Sequence, residues 1–178
     1  MTITRFAAVM IAAISIFAVT ATAQKRTTTK RKYPTTPKVV TTNNVSTGSD
    51  VAKAKETVNN QIKNITKFVD VLGPIAQGIE SVDNDAKTKK LKKETLDTNA
   101  ANKQKVILAI KNLRAGLEAL ENDFTTKPAL KKFLPKIQGI SPLGVQSELL
   151  AKSNRFSESR KPLLTVVEKL TDTLAVMP

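Results

Sequence analysis

Beyond Asp50 the apolar residues recur with the period of an α-helix. Val51, Val58, Ile65, Leu72 and Ile79 stand at seven-residue intervals, and Ile62, Val69 and Ala76 follow Val58, Ile65 and Leu72 by four. That spacing predicts a long helix with one aliphatic stripe along one side. Asp50 is its expected N-cap. Gly73-Pro74 predicts a kink or a restart, because proline lacks a backbone donor and crowds the preceding turn.

A second stripe, Val106, Ile110, Leu113, Leu117, Leu120 and Phe124, alternates steps of four and three and predicts another buried helical face. Asp83-Asn84-Asp85 offers this helix an earlier cap, Leu91 and Leu96 weakly continue the stripe, and a break or bend is expected at Asp97-Thr98-Asn99. Thr126 and Pro128 read as the N-cap and first-turn proline of a short helix that buries Leu130, Phe133, Leu134 and Ile137, with Gly139 ending it. Ser141-Pro142 repeats the start signal. Leu149, Phe156, Leu163, Leu170 and Met177 then keep the seven-residue interval, joined by Val167 and Leu174, so a last helix bent near Pro162 is expected to run almost to the end.

No run shows the alternation of a half-buried strand, and no fixed-period repeat supports stacked helical pairs. The expected fold is all-α: an antiparallel bundle of four to five helices with proline kinks over residues 50–178, preceded by a disordered linker. Three long helices and a short one would satisfy the same pattern.

The N-terminal part follows other rules. Residues 1–23 read as a signal peptide: Arg5 gives a positive start, Phe6 to Val19 is apolar except for Ser15, and Ala21-Thr22-Ala23 suits a signal peptidase. An uncleaved anchor is the alternative, but a spanning helix needs about 20 apolar residues. Residues 24–49, rich in Thr, Lys, Pro and Asn, bury too little apolar area to offset backbone ordering and read as a disordered basic linker. Asn44-Val45-Ser46 and Asn64-Ile65-Thr66 are sequons, so Asn44 and Asn64 are glycosylation candidates in a eukaryotic host. The expected location is therefore secreted, extracellular or wall-associated.

Charge and residue inventory narrow the function. Lys and Arg number 29 against 15 Asp and Glu, a formal net charge of +14, which draws the chain to anionic partners. The chain has no Cys and no His, which excludes disulfides, thiolate catalysis, Ser-His-Asp arrangements and the commonest metal ligands. Glu80, Asp83 and Asp85 read as helix-capping acids, and Glu118, Glu121 and Asp123 as a solvated polar face. No calcium loop or Gly-rich phosphate loop is present. The chain is therefore expected to be no enzyme, with no cofactor and no metal. Aromatic content of 4 % without Trp leaves no stacking platform, so nucleic acid is not an expected partner.

Lys87, Lys89, Lys90, Lys92 and Lys93 form the densest charge cluster. They are either a frayed, solvated helix start or an anion-contacting patch; if a helix begins near Asp85, they oppose its dipole. The aliphatic stripes are core residues that collectively can also line a tunnel for an acyl chain or open onto an apolar surface. The candidates for such ligand binding are Ile65, Val69, Leu72, Ile110, Leu113, Leu117, Phe133, Phe156, Leu163 and Val167.

The run Leu113-Arg114-Ala115-Gly116-Leu117-Glu118-Ala119-Leu120, then Lys127-Pro128-Ala129-Leu130-Lys131-Lys132-Phe133, then Gly139-Ile140-Ser141-Pro142 leading to Leu149-Leu150 and Phe156-Ser157, resembles the fungal hydrophobic surface-binding protein A family, which includes cell-wall galactomannoproteins. The resemblance spans roughly Val58 to Leu174 and lies in helix order and spacing. It implies a secreted helical bundle that adsorbs to hydrophobic surfaces or holds fatty-acyl ligands. The abundance of lysine and the basic linker depart from that pattern. The expected function is therefore non-catalytic binding of a hydrophobic surface or lipid, with basic segments on anionic cell-wall or membrane polymer. The alternative is a secreted effector or envelope interaction protein that uses the bundle as a protein-binding scaffold.

Overall fold

The computed structural model describes the backbone of residues 43–178 and the side chains from Gly48 onward. The expected signal peptide (residues 1–23) and the linker as far as residue 42 lie outside the described residues. The remainder is helical: α1 (Asn43–Thr88), α2 (Lys93–Thr126), a 3₁₀ turn (Pro128–Phe133), α3 (Leu134–Ile137), α4 (Ile140–Lys152) and α5 (Phe156–Val176), with no strand among the described residues.

The four longer helices form a ring in which α1 lies beside α2 and α5, and α4 lies beside the same two. Gln61 meets Gly116 and Asp83 meets Asn99, so α1 and α2 are antiparallel. Lys55 meets Met177 and Glu80 meets Ser157, which sets α5 antiparallel to α1. Arg114 meets Glu148 and Glu121 meets Gly139, so α4 opposes α2. The 3₁₀ turn packs on α1 and α2, and α3 packs on α2 and α5, together closing the end of the bundle opposite the α1–α2 turn.

The aliphatic stripes form two core clusters. Val58, Ile65 and Val69 of α1 pack with Leu117, Leu120 and Phe124 of α2 and with Leu163, Val166 and Leu170 of α5. Leu72, Ala76 and Ile79 pack with Val106, Ile110, Ala151 and Phe156, and Phe68 lies against both groups. Gly144 lets α4 approach α2 closely: a Cβ there would come within 3.1 Å of Arg114 Cγ and 3.3 Å of Leu117 Cδ1.

Several local expectations are corrected. The first helix begins at Asn43, so Asp50 lies inside α1 and is not its cap. α1 passes through Pro74 without ending; Pro74 is exposed, and so is Asp70, whose carbonyl loses its helical donor on the solvent side. Asp83-Asn84-Asp85 belongs to the end of α1, and Asp97-Thr98-Asn99 lies within α2. The break falls at Lys89–Lys92 instead, where a continuous helix would stack like charges at i,i+3 and i,i+4. Thr126 is not a cap, because its hydroxyl donates back to the Asn122 carbonyl at 2.8 Å and Lys127 holds the cap position. The expected last helix is two, α4 and α5, separated at Ser153–Arg155 with Asn154 at φ +58°. Leu149 consequently points outward, 58 % exposed. Pro162 sits buried within α5, and Gly139, at φ +91°, ends the short helical segment as expected.

The starts of α4 and α5 are satisfied from neighbouring helices. Glu121, expected as solvated surface, accepts from the Gly139 N–H at 2.6 Å and the Ser141 N–H at 2.9 Å and thereby caps α4. Glu80 accepts from the Ser157 N–H at 2.9 Å and the Ser157 hydroxyl at 2.7 Å, capping α5. Glu148, 3 % exposed, lies between Lys152 at 2.6 Å and Arg114 at 3.0 Å. Burial pushes the Glu121 carboxyl up, but the bonds from Ser141 and Gly139 and the nearby Lys169 outweigh it and hold it below its ordinary 4.5. The Lys152 hydrogen bond, opposed by burial and aided by the Arg114 charge, does the same for Glu148.

Truncating Leu117, which is fully buried, to Ala is expected to cost about 2–5 kcal/mol in urea unfolding, whereas Leu149→Ala is expected to stay within about 0.5 kcal/mol of the parent. Both depressed carboxyls bind protons less readily folded than unfolded. Their stabilisation is therefore present above the unfolded value and lost as pH falls through the folded one. Calorimetry should show a melting temperature that declines as pH drops below 4.5, with a smaller decline in Glu121→Gln. At neutral pH that variant should be weaker by about 0.5–2 kcal/mol, the usual value of a helix cap.

Candidate functional site

The ten apolar candidates are interior, but in separate places. Ile65, Val69, Leu117, Phe133 and Leu163 are buried in the first cluster with Leu113 and Val167 at its margin, and Leu72, Ile110 and Phe156 are buried in the second. They fill space against one another. The two best-formed depressions among the described residues are open surface features of about 510 and 650 Å³. One is lined by Gly48, Val51, Pro128, Lys132 and Pro178, the other by Glu80, Lys87, Arg155 and Glu158, and none of the ten candidates lines either.

The sequon asparagines lie apart. Asn64 is exposed on α1 between core positions, with Thr66 also exposed and Ile65 fully buried. Asn44 lies in the first turn of α1.

The lysine candidates gather at one end of the helical bundle. Lys87 occupies the last turn of α1, where a cation suits the helix dipole, so it does not oppose a helix start. Lys89 and Lys90 lie in the turn, Lys92 is the cap residue of α2 and Lys93 its first residue, and all five are exposed. From Asp85 to Glu94 these five lysines face two acids, Asp85 and Glu94 themselves. Lys89 pairs with Asp85 at 3.1 Å and Lys87 reaches Asn84 at 3.2 Å, while Lys90, Lys92 and Lys93 make no ion pair among the described residues.

This end is the least packed part of the body. Between Ile79 and Val106 the one buried residue is Asn99. Its amide donates to Asp83 Oδ1 at 2.8 Å, and Lys103 meets Asp83 Oδ2 at 2.7 Å, so a polar clasp joins the two helices where the apolar stripe fades. Leu91 and Leu96, expected to continue the second stripe weakly, join neither core cluster: Leu91 is part-buried in the turn and Leu96 is 42 % exposed.

Among the described residues, no three acidic groups lie close enough to hold a metal, and no helix is long and apolar enough to cross a membrane. Compared with known proteins, the chain matches no family model, no curated protein and no solved structure.

Proposed function

We propose that this protein is a secreted, non-catalytic binding module that attaches to anionic polymer of a cell wall or membrane through the lysine end of the α1–α2 hairpin, with the bundle as its mount. The observation that carries the reading is the collection of Lys87, Lys89, Lys90, Lys92 and Lys93, all exposed, at and beside the α1–α2 turn. A local cluster of this kind adds short-range attraction to the long-range field of the basic chain. Secretion rests on the pattern of residues 1–23, and the non-catalytic character on the absence of His and Cys.

Adsorption to a hydrophobic surface, which the resemblance to the surface-binding family implies, is a second reading. Its support is the outward strip of α4, where Pro142, Val145 and Leu149 recur at helical spacing, with Val145 36 % and Leu149 58 % exposed. The same strip would serve a protein-binding scaffold. An acyl chain held inside draws less support, because the interior candidates occupy that space themselves.

Polyphosphate binding by the full chain, titrated at rising salt, tests the first reading. Replacing the five hairpin lysines by Gln is expected to weaken binding by roughly tenfold or more and to flatten its salt dependence, since each lost phosphate contact lowers the slope by about 0.7–0.9. Five Gln substitutions at the exposed Lys53, Lys63, Lys67, Lys105 and Lys111 should weaken it far less. Equal losses in the two variants would mean that diffuse net charge does the binding, and the proposal would fall.

A further inference from the structure

Charge alone does not account for the hairpin end. Leu91 stands in the turn between Lys90 and Lys92, and Leu96 closes the first turn of α2, yet neither belongs to a core cluster. A soluble polyanion would leave Leu96, 42 % exposed, and the open side of part-buried Leu91 in water. A bilayer offers phosphate at the depth a lysine ammonium reaches and hydrocarbon just beneath it, where leucine gains by leaving water and the lysine stems lie along apolar surface. No described helix can span a membrane, so the contact would be interfacial.

We infer that the α1–α2 turn docks on an anionic lipid bilayer, with Leu91 and Leu96 entering the interface and the five surrounding lysines on headgroup phosphates. This deepens the function proposed above and rests on it. Each lysine near an anionic surface strengthens partitioning by about fivefold, and each leucine transferred from water by on the order of tenfold. Neither set suffices alone on a neutral membrane.

The chain has no cysteine, so single-cysteine variants of the full chain can each carry one environment-sensitive fluorophore. Leu91→Cys and Leu96→Cys should give blue-shifted emission with phosphatidylglycerol–phosphatidylcholine vesicles and no shift with phosphatidylcholine alone. Leu149→Cys, on the outward face of α4, should not respond to either. A Leu91→Ser, Leu96→Ser double variant should partition onto the anionic vesicles about tenfold or more weakly, while keeping its melting temperature and its affinity for polyphosphate.

No shift at positions 91 and 96, a larger shift at 149, or unchanged partitioning of the double variant would overturn the inference. If the parent chain binds polyphosphate but not the anionic vesicles, this inference fails and the broader reading stands. If it binds neither, both fail.

Discussion

The stripe that α1 buries places α2 and α5, and these two in turn hold α4. Val58, Ile65, Val69, Leu72, Ala76 and Ile79 lie along one side of a 46-residue helix, and removing them from water requires partners along that whole stretch. α5 and the end of α2 cover the first part, while Phe156, Ala151 and the middle of α2 cover the second. With no cysteine in the chain, no disulfide supplements this burial. The hairpin end, past Ile79, is where the stripe gives out and the packing gives out with it.

Polar groups set the joints that apolar contact leaves loose. The side chain of the local cap residue bonds no backbone N–H at the start of α4 or α5; carboxylates from neighbouring helices do so instead. Glu121 on α2 holds the start of α4, and Glu80 on α1 holds the start of α5. A helix capped from another helix begins at a fixed height in the bundle, so the caps also set register. Glu148 adds a buried link between α2 and α4 through Arg114, while Lys152 of its own helix holds its other oxygen.

This division of labour frames the proposed function. The packed body ends at Ile79, and the polar clasp of Asn99, Asp83 and Lys103 joins α1 to α2 between that core and the lysine turn. On the proposed reading, a binding surface made of solvated lysines and two uncommitted leucines does not compete with the core for residues. Its composition can therefore depart from what stability alone would select.

Helical class, the two long stripes and most buried positions were determined by the sequence, because apolar periodicity is a local property and each stripe can be read without knowing its partner. Leu117, Phe124, Leu163 and Leu170 follow from spacing alone, and so does the turn at Gly139. What tertiary structure decided was where the helices stop and what their polar residues do. Asn99 reads locally as a helix breaker but spends its amide on Asp83 of another helix; Glu121 reads as surface but caps α4; Leu149 keeps the heptad but faces water once the chain reverses at Asn154. The two polar roles depend on partners 16 to 20 residues away, which no local pattern contains.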